Sequence, residues 1–347
     1  MGVQRVRVGI IGATGYGGGE LVRLLARHPN VEVAGLQARG RDGESIAAGH
    51  PHLASTGLTI GDELPDGLEA VFLAMPHGAA AAAVPDLLER NLAIIDLGPD
   101  FRLRNASEYP RWYRFEHPSP DLLDAAVYGL PELHRAELAA LQDAKVRIVG
   151  SPGCYATTSI LALAPLARAG LLGDVVIDAK SGVSGAGREM KPEMQFSEAN
   201  ESVKAYGVGG HRHIAEIEQE LGVAAGTPID PIDFLPHLIP MTRGILAAAH
   251  VRPTRPVTQA ELDDLFRDAY AGEAFIRVVA APPATKHVTG SNQFRAHVSH
   301  DPRNGRVLVL GVLDNLVKGA AGQAIQAFNI VFGLPETAGL EQLPLAP

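Results

Sequence analysis

The first thirty residues narrow the possible folds more than any other stretch. Arg5–Gly12 (RVRVGIIG) reads as a buried strand. Glu20–His28 (ELVRLLARH) has helical spacing of Leu21, Leu24 and Leu25 and stops before Pro29. Between them runs Gly12-Ala13-Thr14-Gly15-Tyr16-Gly17-Gly18. Glycines at 9, 12 and 15 spell GxxGxxG rather than GxGxxG. The physical demand is the same: the backbone turns tightly and a pyrophosphate rests on the helix N-terminus. A glycine-rich turn that only packs a helix on a sheet is the alternative. The strand before and the helix after favour the nucleotide reading.

The next segments extend that pattern. Val31–Leu36 reads as a second strand and runs into Gln37-Ala38-Arg39-Gly40-Arg41. An NAD-selective site usually carries an acidic residue here for the ribose 2′-hydroxyl. Neutral Gln37 with Arg39 and Arg41 suits a 2′-phosphate instead, so NADP(H) is expected; two solvated arginines are the bland reading. Ala70–Ala74 and Ala93–Leu97 are further strands, with an Ala-rich helix over Gly78–Arg90 between them. Such alternation indicates an α/β, parallel, doubly wound sheet. Pro76 and His77 lie at a strand's C-terminal end, where these sheets bind ligands. His77 either faces the cofactor or caps the next helix. Residues 100–124 form an aromatic-rich excursion around the sole tryptophan, Trp112, with no legible role.

At 347 residues the chain is long enough for two domains. Its net charge of −9 does not support nucleic-acid binding. One cysteine excludes an intramolecular disulfide and fits a reducing compartment. The apolar runs are too short to span a membrane. No leader is expected, because a strand starts by residue 5, and Met1-Gly2 lacks the Ser or Thr at position 6 that myristoylation wants. A cytoplasmic metabolic protein is the expectation.

That single cysteine lies in Val149-Gly150-Ser151-Pro152-Gly153-Cys154-Tyr155. Lys145–Val149 before it reads as a strand and Ala156–Ala169 after it as a helix. The Pro-Gly breaker therefore sets Cys154 on a tight turn near a helix N-terminus. The partial positive charge there stabilises a thiolate, which is the nucleophile; a small residue filling a core gap is the alternative. Val175–Lys180 is a strand opening onto Ser181–Arg188, whose Ser184, Gly185 and Arg188 suit an anion-binding loop. Glycines 207, 209 and 210 precede a helix starting near His213, so His211 stands at its entrance. A cysteine with a histidine elsewhere is the pattern of thiol catalysis. With one cysteine and no carboxylate set at ligand spacing, His211-x-His213 is not read as a metal site. Strands at 244–251, 275–279, 294–299 and 306–313, crossed by a helix over 256–271, indicate a mostly antiparallel second sheet. The small residues of a last helix, running through Phe328, suit close packing on the nucleotide domain.

Taken together, Gly12–Tyr16, Pro76–Gly78, Gly129–Glu132, Pro152–Tyr155, Ser181–Arg188, His211–His213, Arg243–Leu246 and Asp314–Gly319 resemble the N-acetyl-gamma-glutamyl-phosphate reductase family of arginine biosynthesis. The motifs are in family order over nearly the whole chain. Thr158 departs from the family, which usually has Gly or Ala there. The resemblance implies a Rossmann-type NADP-binding domain over 1–153, completed by the C-terminal helix 316–347. It implies an α+β catalytic and oligomerisation domain over 154–315, in a homodimer or homotetramer. It also implies NADPH-dependent reductive dephosphorylation of an acyl phosphate through a thioester. Cys154 is then the nucleophile and His211 the preferred acid–base group, with His213 as a supporting residue. Gly12, Ala13, Thr14, Gly15, Tyr16, Gly17, Arg39, Arg41, Pro76, His77 and Asn315 would face the cofactor. Tyr155, Ser184, Gly185 and Arg188 would face the substrate.

Three other readings stay open. One is the homologous lysine-pathway reductase, which takes an aminoadipyl phosphate one methylene longer on an amino-group carrier protein. A methylene is worth only about 1–3 kcal/mol of discrimination. The second is a Cys–His acyl hydrolase, which would need no NADPH. The third is a non-enzymatic NADP-sensing module, which would tolerate loss of Cys154.

Overall fold

The computed structural model describes residues 5–345. The expectations for Met1-Gly2 and for the last two residues of the C-terminal segment lie outside that range. Two compact units divide the chain. One runs to Pro152 and takes in Ala320–Glu341; the other comprises Gly153–Gly319 and the segment from Gln342.

The first unit carries β1 (Val6–Ile11), α1 (Tyr16–Leu25), β2 (Val31–Gln37), α2 (Ile46–Gly49), β3 (Ile60–Gly61), β4 (Ala70–Leu73) and α3 (Ala79–Glu89). It continues with β5 (Ala93–Asp96), α4 (Tyr109–Tyr113), β6 (Ala126–Tyr128), α5 (Pro131–Ala140) and β7 (Ile148–Gly150). Its sheet has the order β3-β2-β1-β4-β5-β7-β6, every pair parallel. β4 and β5 are buried at every position, as strands covered on both faces must be. The strand order reverses between β1 and β4, the crevice where such sheets take ligands.

α1 begins four residues earlier than its leucine spacing predicts, inside the glycine run. Close packing outweighs the poor helix propensity of glycine: a Cβ on Gly18 would lie 2.3 Å from the Gly12 carbonyl oxygen. The C-terminal helix Gly322–Val331 is buried at all ten positions and packs on α1 and α5. Its polar side chains are hydrogen-bonded, as burial requires. Gln323 donates to the Gly129 carbonyl at 2.8 Å, and Asn329 pairs with His28 at 2.9 Å.

The second unit carries α6 (Cys154–Arg168), β8 (Leu172–Gly182), α7 (Phe196–Ala199), β9 (Lys204–Ala205), α8 (His213–Ala225), β10 (Asp233–Ile239) and β11 (Ile245–Pro253). After these come α9 (Gln259–Ala269), β12 (Ile276–Val278), β13 (Phe294–Asp301) and β14 (Arg306–Leu313). The order is β12-β13-β14-β11-β8-β10-β9. Four of its pairs are antiparallel; β8 with β10 and β12 with β13 are parallel. β10 escapes a sequence reading because Pro236 interrupts its apolar run, and proline demotes a strand assignment. β11 buries Ile245, Ala247, Ala249 and Val251 on the face toward α6, which is itself buried from Tyr155 to Ala167.

Gly12 tests the glycine turn directly. Its φ is +87°, and an added Cβ would stand 2.2 Å from the Ala74 carbonyl oxygen, a backbone atom that cannot step aside. Gly12→Ala is expected to cost about 2 kcal/mol or more of stability in urea unfolding. An unchanged unfolding midpoint would contradict this account of the turn.

Candidate active site

In the first unit the glycine turn leaves an open cradle. Gly15 is the N-cap of α1, no side chain caps it, and the first turn carries no acidic residue. A Cβ on Gly15 would have only the Gly12 oxygen nearby, at 3.7 Å. Uncapped N–H groups and free space fit a pyrophosphate. Arg39 and Arg41, just past β2, are exposed, and Arg41 pairs with Glu44 at 3.2 Å.

The excursion after β5, unreadable in sequence, is a buttress for the strand ends. Asp100 is fully buried and accepts from Gly78 N–H and Ala81 N–H, both at 2.9 Å. It therefore caps α3, and capping is not the task of His77, which is exposed beside the Tyr113 ring. Arg102 donates to the carbonyls of Ser151 at 2.7 Å and Leu97 at 2.8 Å. It thus anchors Ser151, three residues before Cys154 in the chain. Asp96, at the end of β5, is fully buried, and its carboxyl is pushed up to about 7 by burial and by the Asp100 charge.

In the second unit Cys154 is the first residue of α6, half-buried, with Gly153 as N-cap. No side chain of its own sequence caps this helix. Thr158 donates its hydroxyl to the Cys154 carbonyl at 2.8 Å, one turn back along the helix. The backbone of Gly319 closes on the other side: a Cβ there would lie 2.8 Å from the Cys154 Cβ. That approach is made by a π-turn over Val317–Ala321, in which the Gly319 N–H reaches the Asp314 carbonyl. Such turns are frequent at functional sites.

Both histidines come to this turn by different routes. The His213 ring lies directly on Gly153, where an added Cβ would be 2.3 Å from Nε2. His213 is also 3.8 Å from the Glu216 carboxylate, one turn along α8. His211 packs among Tyr155, Tyr206, His213 and Phe234. Its Nδ1 accepts from the His213 N–H at 3.2 Å. Burial, with the Arg212 charge, pushes the His211 imidazole down to about 4. Burial likewise raises the Tyr206 phenol to about 12 and raises that of Tyr155.

Three expected contact residues are buried and hydrogen-bonded within the fold. Asn315 is buried and acts as a strut, accepting from Gly244 N–H at 2.7 Å and donating to the Ser184 hydroxyl at 2.9 Å. Ser184 is itself buried, so these two side chains shape the Ser/Gly loop from behind. Tyr155 is 2% exposed, and its hydroxyl donates to the His237 carbonyl at 2.8 Å. Its ring wedges against both histidines. Gly185 and Arg188 are exposed on the loop. Sequence reasoning missed Glu216, Asp100 and Arg102, because each has a defining partner distant in the chain. It also missed Lys318, fully buried with its ammonium 5.7 Å from the Phe275 ring centroid. Among the described residues no cluster of three or more His, Cys, Asp or Glu is placed to hold a metal. No helix among them is long and apolar enough to cross a membrane.

Known proteins carry the same plan. The family model described as semialdehyde dehydrogenase, NAD binding domain, matches residues 7–141, and that of the semialdehyde dehydrogenase dimerisation domain matches residues 154–315. A protein of Symbiobacterium thermophilum named N-acetyl-gamma-glutamyl-phosphate reductase is 51% identical over 96% of this chain and 97% of its own length. Another of that name from Dehalococcoides mccartyi is 43% identical over 99% and 100%. Among solved structures, aspartate semialdehyde dehydrogenase II from Vibrio cholerae aligns with a TM-score of 0.71 at 18% identity, covering 94% of this chain and 98% of its own. The aspartate semialdehyde dehydrogenase with NADP from Candida albicans gives a TM-score of 0.71 at 16% identity, with the same coverage. At that identity the structural likeness speaks for the fold.

The depressed His211 carries a consequence for stability. Its folded pKa lies below the unfolded value, so the unfolded chain binds the extra proton between about 6.5 and 4. Stability from this group is full above pH 6.5 and is lost as pH falls toward 4, by roughly 3 kcal/mol in all. His211→Gln is expected to flatten that part of the acid-unfolding profile. An unchanged slope between pH 6.5 and 4 would show that His211 is not buried as a neutral ring.

Proposed function

From membership of the N-acetyl-gamma-glutamyl-phosphate reductase family, to which this chain belongs, we propose that it reduces N-acetyl-gamma-glutamyl phosphate to N-acetylglutamate 5-semialdehyde, releasing phosphate, in arginine biosynthesis. The observation that carries this reading is the turn at α6: a half-buried thiol on the first residue of a helix, with the His213 ring packed on the residue before it. NADPH, when bound, supplies the hydride. Its pyrophosphate would rest on the Gly12–Gly17 turn, and Arg39 would meet the 2′-phosphate, since Arg41 is already engaged by Glu44.

The residues act in a fixed order. His213 takes the thiol proton, and the Cys154 sulfur attacks the acyl carbon. The carbon–oxygen bond to phosphate breaks, phosphate leaves with the bonding pair, and a thioester remains on Cys154. Once its carbonyl has been reduced, His213 returns the proton to the oxygen that becomes negative. The same ring takes the proton back as the carbon–sulfur bond breaks, releasing aldehyde and thiolate. We assign this work to His213 rather than His211, because a base held near 4 is poorly matched to neutral pH. His211 and Tyr155 then position the ring. Arg188, exposed on the loop, supplies a cation for the leaving phosphate, and the Ser184 loop shapes the surface beneath it. The match to a dimerisation domain supports a homo-oligomer.

The reverse reaction tests the reading. Wild-type protein given N-acetylglutamate semialdehyde is expected to reduce NADP+ only when inorganic phosphate is present, and Cys154→Ser is expected to be inactive. Reduction without phosphate would point to another acyl acceptor. Activity only on the longer aminoadipate semialdehyde would move the assignment to the lysine-pathway substrate.

A further inference from the structure

We propose that Glu216 is a positioning residue for the reaction, setting the His213 ring against the Cys154 turn and holding a negative charge behind it. This rests on the reading of Cys154 and His213 given above. Glu216 is completely buried, yet its two oxygens face two parts of the site. Oε2 accepts from the Gly153 N–H at 2.9 Å, and Oε1 stands 3.8 Å from His213 Nε2.

The first contact answers a question the sequence leaves open. A helix N-cap N–H is commonly satisfied by a Glu or Gln three residues on. In α6 that position is Ala156, and the capping residue is a glycine. Glu216 reaches over from α8 and does this from outside. Its carboxylate then lies at the positive end of α6, which offsets part of the cost of burying a charge.

The second contact is what a cap does not need. One oxygen satisfies Gly153; the other is turned toward the imidazole. The same end of the ring lies against Gly153, where no larger residue fits. Among the described residues, the other charged and titratable groups near His213 include His211 and its neighbour Arg212, and Tyr155 from α6 with Tyr206 beyond. The Arg212 guanidinium and the Glu216 carboxylate act on the imidazole with opposite sign. Glu216 favours the protonated ring and so keeps a proton available when oxygen becomes negative.

Glu216→Gln separates a structural cap from a positioning charge, because a glutamine oxygen still accepts from Gly153. With carbon-13-labelled histidine, and His213→Gln to assign the signal, the His213 titration is expected to fall by about one to three units in Glu216→Gln. In the reverse assay kcat is expected to drop, its pH profile moving with the titration, while KM for the semialdehyde holds. Glu216→Asp keeps the charge and is expected to shift His213 less. An unmoved His213 titration in Glu216→Gln overturns the proposal, as do equal shifts in both variants. Should Glu216→Gln fail to fold, Glu216→Asp alone decides: a smaller downward shift supports the proposal and none overturns it. The titration needs no substrate. A wild type inactive on the semialdehyde would therefore sink the proposed function and leave this test intact.

Discussion

A helix that starts with a glycine and no side-chain cap has donors to satisfy, and the second unit is arranged around that need at α6. Glu216 supplies one acceptor from another helix, His213 fills the space that only a glycine at position 153 leaves, and Gly319 closes on the cysteine from the far side. Because the capping group comes from elsewhere, the first position of the helix is left to a thiol. The partial positive charge of the helix end then acts on the sulfur. In the first unit α1 starts in the same way, at Gly15, with no side-chain cap hydrogen bond from that residue.

Local patterns were legible in the sequence. The strand, the glycine turn and the helix of residues 5–28 needed only periodicity and proline to read, and the parallel sheet followed from alternation. The turn at Cys154 was equally clear, because Pro152 and Gly153 break the chain between two apolar segments. The antiparallel character of the second sheet was readable from the run of strands. β10 was not, since Pro236 sits inside it, and neither were the exact helix starts, where close packing overrode propensity.

The site was legible in its motifs and less so in its roles. Cys154, His211 and His213 stand out by residue type, yet which histidine meets the cysteine turn depends on a contact across the fold between α8 and Gly153. Asn315 and Tyr155, read from their motifs as ligand-facing, are also bonded within the fold, Asn315 to the Ser184 loop and Tyr155 to the His237 carbonyl. Asp100 and Arg102 sit in a segment with no periodicity at all. Much of their meaning lies in partners 19 to 49 residues away.

The central claim is that the substrate's acyl group is carried on Cys154. It is tested most directly by mass spectrometry of the protein mixed rapidly with the acyl phosphate in the absence of NADPH. The account predicts stoichiometric phosphate release, with the N-acetylglutamyl adduct on the peptide containing Cys154 and removed by hydroxylamine. Full turnover on adding NADPH, with no adduct at any earlier time and no phosphate burst, would mean that the hydride reaches the acyl phosphate directly, and the thioester account would be wrong.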